Sequence, residues 1–439
     1  MEQFRLPAIP MPELPLPSSI AAVLAEAEEK LAHRPKLLKL FRNCFPNTLE
    51  TTTKLMEDGT TFVITGDIPA CWLRDSVEQM IHYVPFAKED AELQGIIGGL
   101  IKRHIQYILI DPYANAFNET PNDWHWNAAD VTEMSPWVWE RKFEVDSLCF
   151  VIRLAHAYWE QTKRTDIFTA NFKKALRVIT DLFKVEQHHF EKSPYRFTRN
   201  NGIREDSLQN SGMGMPVNYT GMIWSGFRSS DDACDFHYNI PGNMFAVVAL
   251  RQMQDFAEWV FRDLEFLEEL KTLEQEVDHG IKLYGIYRHP QFGPIYAYET
   301  DGYGNYCLMD DAGTPGLISI PYLGYVKSDD PVYQNTRRFA LSKENPFYFE
   351  GKAAKGIGSP HTPPGYIWHM ALSMQGLTAD TPEEKLAMIE MLEATDADTG
   401  YMHEGFLADD PRVFTRKWFA WSNSLFSQLV WQALKQGIL

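Results

Sequence analysis

Residues 224–243 read W-S-G-F-R-S-S-D-D-A-C-D-F-H-Y-N-I-P-G-N. The stretch sets Arg228, Asp231, Asp232, Asp235 and His237 among aromatic residues, then passes into an apolar run, Met244 to Leu250, with the character of a helix. Two physical readings compete. Burial and like charge raise the pKa of crowded carboxyls, whereas an arginine such as Arg228 lowers it. A carboxyl kept protonated near neutral pH is what acid-assisted cleavage of a glycosidic bond requires. Alternatively, the aspartates do no more than cap N–H groups of the following helix.

Composition narrows the choice. Hydrophobic residues make up 45% of the 439 residues and aromatics 13%, enough for a sizeable core. Aromatic faces also suit the C–H faces of sugar rings. A net charge of −18 speaks against nucleic acid or an anionic membrane as partner, because both need a basic footprint. Cys44, Cys71, Cys149, Cys234 and Cys307 are scattered without C-x-x-C spacing, so neither a zinc site nor a disulfide framework is expected. The start, M-E-Q-F-R-L-P-A-I-P-M-P, lacks the basic-then-apolar plan of a signal peptide, and no apolar run is long enough to span a membrane. These features point to the cytoplasm.

Upstream of the opening stretch, residues 1–17 are expected to form a proline-rich arm. Residues 18–439 are expected to form a single catalytic domain, with no Ser/Gly linker to divide it. Residues 47–68 hold a D-G between two β-branched runs and predict a hairpin. G-D-I-P-A-C-W-L-R-D follows, with Trp72, Arg74 and Asp75 where a loop turns into a helix. There Asp75 either caps the helix or, with Arg74, holds vicinal sugar hydroxyls beneath Trp72. Residues 116–140 have no regular period and carry Asn127 and Asp130 amid four tryptophans, which predicts a pocket-lining loop. Downstream, Asp310 and Asp311 stand in an acidic loop before a helix expected over 316–325. His361 lies in a Gly/Pro loop, and Y-M-H-E-G-F places Glu404 in another. About twelve helices in hairpin pairs, with polar aromatic loops at alternate junctions, describe an (α/α)6 toroid carrying a few short β-hairpins. A helical bundle in two domains is the alternative.

No G-x-S-x-G elbow, P-loop, dinucleotide fingerprint or H-E-x-x-H occurs. Paired carboxylates in a loop-built aromatic cavity remain, and two carboxyls suffice for glycoside hydrolysis with no cofactor and no metal. The motifs T-G-D-I-P-A-C-W-L-R-D-S, N-D-W-H-W-N-A-A-D-V-T-E-M, S-G-F-R-S-S-D-D-A-C-D-F-H-Y-N-I-P-G-N and Y-M-H-E-G-F together resemble glycoside hydrolase family 125. The resemblance implies an (α/α)6 exo-α-1,6-mannosidase that inverts configuration without metal. It further implies Asp231, in preference to Asp232, as general acid and Glu404 as general base. Trp72, Arg74, Asp75, Asn127, Asp130, Arg228, Asp311 and His361 are then expected to bind substrate. The partner would be an α-1,6-linked manno-oligosaccharide or N-glycan fragment. An α-glucosidase on the same fold, or a sugar-binding protein without turnover, stays open as an alternative.

Overall fold

Helices form where apolar stripes follow capping residues, as in Ala91–Ile110. Asp90 accepts from the Leu93 N–H at 3.0 Å, and its second oxygen accepts from the Ser19 N–H, tying down the first helix, Ser18–Lys30. Asn239 caps Ile240–Asp255 by accepting from the Gly242 N–H at 2.8 Å. The aspartates of 231–235 are therefore not that helix's cap. The computed structural model describes residues 14–439, so most of the expected proline-rich arm lies outside the described residues. These residues contain fifteen α-helices, and every strand is two to five residues long.

Helix-to-helix packing runs in a circuit. Leu73–Ile81 packs on Val145–Thr162, which packs on Ile240–Asp255; the latter meets the short helix Ile320–Leu323. The 3-10 turn just before that helix, Leu317–Ser319, touches His369–Leu377, which packs on Ala420–Lys435, and Ala420–Lys435 returns to Leu73–Ile81. All nine residues of Leu73–Ile81 are buried, as befits a helix enclosed on every side. Ala91–Ile110, Leu264–Tyr284 and Pro382–Ala394 lie outside this circuit, each against an inner neighbour.

The D-G hairpin is present, with Thr53–Leu55 antiparallel to Thr61–Val63 and Gly59 at φ +76° in the turn. The single helix expected over 316–325 is instead a 3-10 turn followed by four α-helical residues. Pro321 sits in the first turn, where it lacks an N–H to donate, and Gly324 at φ +94° ends the helix.

The early and late parts of the chain join just after the hairpin. Gly66 bridges Phe419, the Asp67 N–H donates to the Trp418 carbonyl, and the Ala420 N–H donates to the Thr65 carbonyl. Gly66 has φ +132°, and a Cβ there would lie 2.6 Å from the Trp418 oxygen, so only glycine permits this approach.

Candidate active site

Loops at the ends of the inner helices enclose a cavity of ≈ 270 Å³ whose wall includes Trp72, Arg74, Asp75, Asp231, His361 and Glu404. Arg74 organises one side. Its Nη1 donates to Glu144 at 2.6 Å and Asp146 at 3.2 Å, and its Nη2 donates to Asp231 Oδ1 at 2.7 Å. The guanidinium is buried and both its Nη atoms are taken up by protein carboxyls rather than left open for sugar hydroxyls. Asp75 does not cap its helix either; it accepts from Thr65 Oγ1 at 2.5 Å. Burial pushes the Asp75 carboxyl up, against the opposing charge of Arg74 and the Thr65 hydrogen bond.

Asp231 has φ +66°, a left-handed conformation that costs a non-glycine residue about 1–2 kcal/mol. Its turn is held by the Asp231 N–H donating to the Arg228 carbonyl and by Lys142 Nζ donating to the Asp231 carbonyl at 2.7 Å. The strained turn leaves 27% of its side chain open. Desolvation raises its pKa, but the Arg74 charge, a hydrogen bond with Glu144 and the charges of Lys142 and His361 outweigh it. They hold Asp231 well below the usual carboxylate range. Burial pushes Glu144 the other way, far up.

Asp232, the neighbouring candidate, is buried off the wall and accepts from His361 Nδ1 at 2.8 Å. Desolvation lowers His361, yet the hydrogen bond and charge of Asp232 lift its pKa to about 9. Elsewhere on the wall, Glu404 has only light restraint. Thr415 Oγ1 donates to its Oε2 at 3.1 Å, and Arg416 lies 3.6 Å from Oε1.

Four expected binding residues are not brought to the wall. Asn127 bonds the Asn201 side chain, and Asp130 is taken up bidentately by Arg199 at 2.6 and 2.8 Å. The tryptophan-rich loop reaches the cavity through Trp126 instead. Arg228 is buried against Glu299 at 2.5 Å and Asp235 at 3.2 Å. Asp311 lies beneath the wall, where it accepts from Ser230 Oγ at 2.6 Å. Glu140, Lys142, Asp206, Trp368, Arg416 and Trp421 line the cavity without having been singled out from sequence. Glu144 and Asp146 were missed as well, because E-V-D at the start of a helix has the ordinary look of N-terminal acidic residues.

The family model described as metal-independent alpha-mannosidase (GH125) matches residues 34–431. The chain belongs to glycoside hydrolase family 125. It is thus a glycoside hydrolase of the α-mannosidase class. Family 125 kinship extends to a Streptococcus pneumoniae metal-independent alpha mannosidase, seen in a non-productive substrate complex with alpha-1,6-mannobiose. That structure is 45% identical, with TM-score 0.93 over 95% of this chain and 98% of that one. The meiotically up-regulated gene 157 protein of Schizosaccharomyces pombe is 38% identical over 95% of this chain and 86% of its own length. A GH78 rhamnosidase of Bacillus sp. GL1 shares the fold alone. It has TM-score 0.54 and 14% identity over 90% of this chain and 35% of that one. No group of three or more His, Cys, Asp or Glu among the described residues is arranged to hold a metal ion. No helix among them is long and apolar enough to cross a membrane.

Proposed function

We propose that this family 125 enzyme is an exo-acting α-1,6-mannosidase that inverts configuration, built as an (α/α)6 toroid around the circuit of inner helices. The observation that carries the reading is that Asp231 and Glu404 line the same cavity from different loops, one beside a cluster of charges and the other lightly held. The alpha-1,6-mannobiose bound to the 45% identical S. pneumoniae enzyme supports the linkage. A volume of ≈ 270 Å³ falls just below the ~300–1,000 Å³ of sites for larger ligands, which suits one terminal ring rather than an extended chain.

In this reading Asp231 donates a proton to the departing O6 as the C1–O6 bond breaks. Glu404 takes a proton from a water that attacks C1 from the opposite face. Inversion needs the two carboxyls ~6.5–9.5 Å apart, leaving room for that water. Trp72 supplies a ring face to the sugar, and Asp75 supplies an acceptor for a hydroxyl.

Initial rates on α-1,6-mannobiose, its α-1,2 and α-1,3 isomers and isomaltose test the specificity. Turnover of the α-1,6 dimannoside alone is expected, whereas preference for isomaltose would make the enzyme an α-glucosidase. Proton NMR of the first product should show β-mannose, and α-mannose would mean retention and remove Glu404 as base. Glu404→Ala should nearly abolish hydrolysis of both mannobiose and α-mannosyl fluoride, since water must be activated whatever leaves.

A further inference from the structure

If Asp231 is the acid, as proposed above, its proton needs a source, because Arg74 favours the ionised form. Arg74 holds Asp231 and Glu144 on the two arms of one guanidinium, at 2.7 and 2.6 Å, which makes the two carboxyls neighbours. Charge counting requires a proton among the carboxyls. Asp75, Glu144, Asp146 and Asp231 all face Arg74. The other groups facing the pair are Lys142, Asp206, His361 and Glu404, with Glu140 linked to Glu144 through the Asn115 amide. Lys142 Nζ is engaged by Asp206 and the Asp231 carbonyl, and His361 by Asp232. Arg74 is therefore left to balance more carboxylate than one cation can, and two ionised carboxyls on one guanidinium repel strongly away from water. Of the two, Glu144 is fully enclosed while Asp231 opens to the cavity, so the proton rests on Glu144.

We propose that Glu144 is a positioning residue that stores the proton Asp231 delivers to the departing sugar oxygen. Asp231 first takes the proton of Glu144 and hands it on to O6 as C1–O6 breaks, the bonding electron pair staying on O6. The attacking water forms the new C1–O bond and loses a proton to Glu404. The wall then holds one proton fewer on Glu144 and one more on Glu404, and exchange with solvent restores both. The placement resolves how an aspartate bound to arginine can serve as an acid.

The test is Glu144→Gln, whose amide fills the same space and can donate to Asp231 but cannot relay a proton. Its kcat/KM on α-1,6-mannobiose should fall roughly 10²-fold, while α-mannosyl fluoride, which needs no protonated leaving group, should fall far less. The alkaline limb of the mannobiose pH profile should move at least about one unit toward acid, and Glu144→Asp should recover part of the rate. Equal losses on the two substrates with an unmoved limb would overturn the proposal. Calorimetric binding of mannobiose checks that the cavity is intact; if Glu144→Gln does not fold, the limb measured in Glu144→Asp decides instead, and an unshifted limb overturns the idea. Asp231→Ala separates the two layers of inference. Should that variant lose both substrates alike, the assignment of Asp231 as acid fails; should it spare the fluoride while Glu144→Gln does not, only the proton store fails.

Discussion

The two sides of the cavity are built to opposite plans. Around Asp231, one buried arginine gathers Glu144 and Asp146 as well, and a lysine clamps the backbone of a left-handed turn. Around Glu404, one threonine hydroxyl donates and the nearest guanidinium nitrogen stands 3.6 Å away. A group that must hold and release a proton needs neighbours that set its charge state. The role of base proposed for Glu404 asks for little beyond orientation. The difference teaches that density of polar contacts around a carboxyl reports the difficulty of its protonation task rather than its importance.

Removing the organiser of the crowded side should do the most damage. Arg74→Ala strands Glu144, Asp146 and Asp231 without their cation, so unfolding free energy at neutral pH should drop by about 3–5 kcal/mol. Its kcat/KM should fall ~10²-fold or more as Asp231 loses its position. Carboxyls left uncompensated have folded pKa values above their unfolded ones. Their favourable contribution is present below the unfolded pKa and is lost as pH rises through the folded one, so the deficit should shrink on acidification. Denaturant melts at two pH values check this; a deficit that grows in acid would break the contrast between the two sides.

The sparse side should respond mildly. Thr415→Val removes the one hydroxyl donor to Glu404 at nearly constant shape, which costs about 1 kcal/mol and hence about five-fold in kcat. A loss as large as that of Arg74→Ala would show that Glu404 is as tightly organised as Asp231. The smallest effect is expected at the rim. His361 is raised from 6.5 to about 9 by its partner Asp232, so the pair stabilises the fold fully below pH 6.5 and loses that contribution as pH rises through about 9. The difference in unfolding free energy between the native enzyme and His361→Gln should accordingly shrink over that window, from a starting value under about 1 kcal/mol because the ring is partly exposed.

Local patterns carried the sequence reading a long way. The D-G hairpin, the loop-to-helix turn at W-L-R-D and helices such as Ala91–Ile110 and Pro382–Ala394 follow from caps and apolar periods that act within a few residues. In the opening stretch, Asp231 reaches the cavity while Arg228 turns inward to Glu299. Nothing local distinguishes those fates, because Glu299 lies 71 residues away. Asn127 and Asp130 were misdirected for the same reason: their partners, Asn201 and Arg199, come from a distant segment. Glu144 eluded sequence because its meaning depends on Arg74, 70 residues earlier. Residue chemistry and order were legible; pairing across the ring of helices was not, and the site's electrostatics reside in that pairing.

The seam at Gly66 has a consequence for how the protein comes into being on the ribosome. Trp72 and Arg74 are made well before Glu404, Arg416 and Trp421, which line the same wall. The strand-like contact between Gly66 and Phe419 cannot close until that later segment has left the exit tunnel. A nascent chain halted before it carries Asp231 but neither Glu404 nor a finished cavity. The cavity wall is therefore completed only when Ala420–Lys435 docks against Leu73–Ile81.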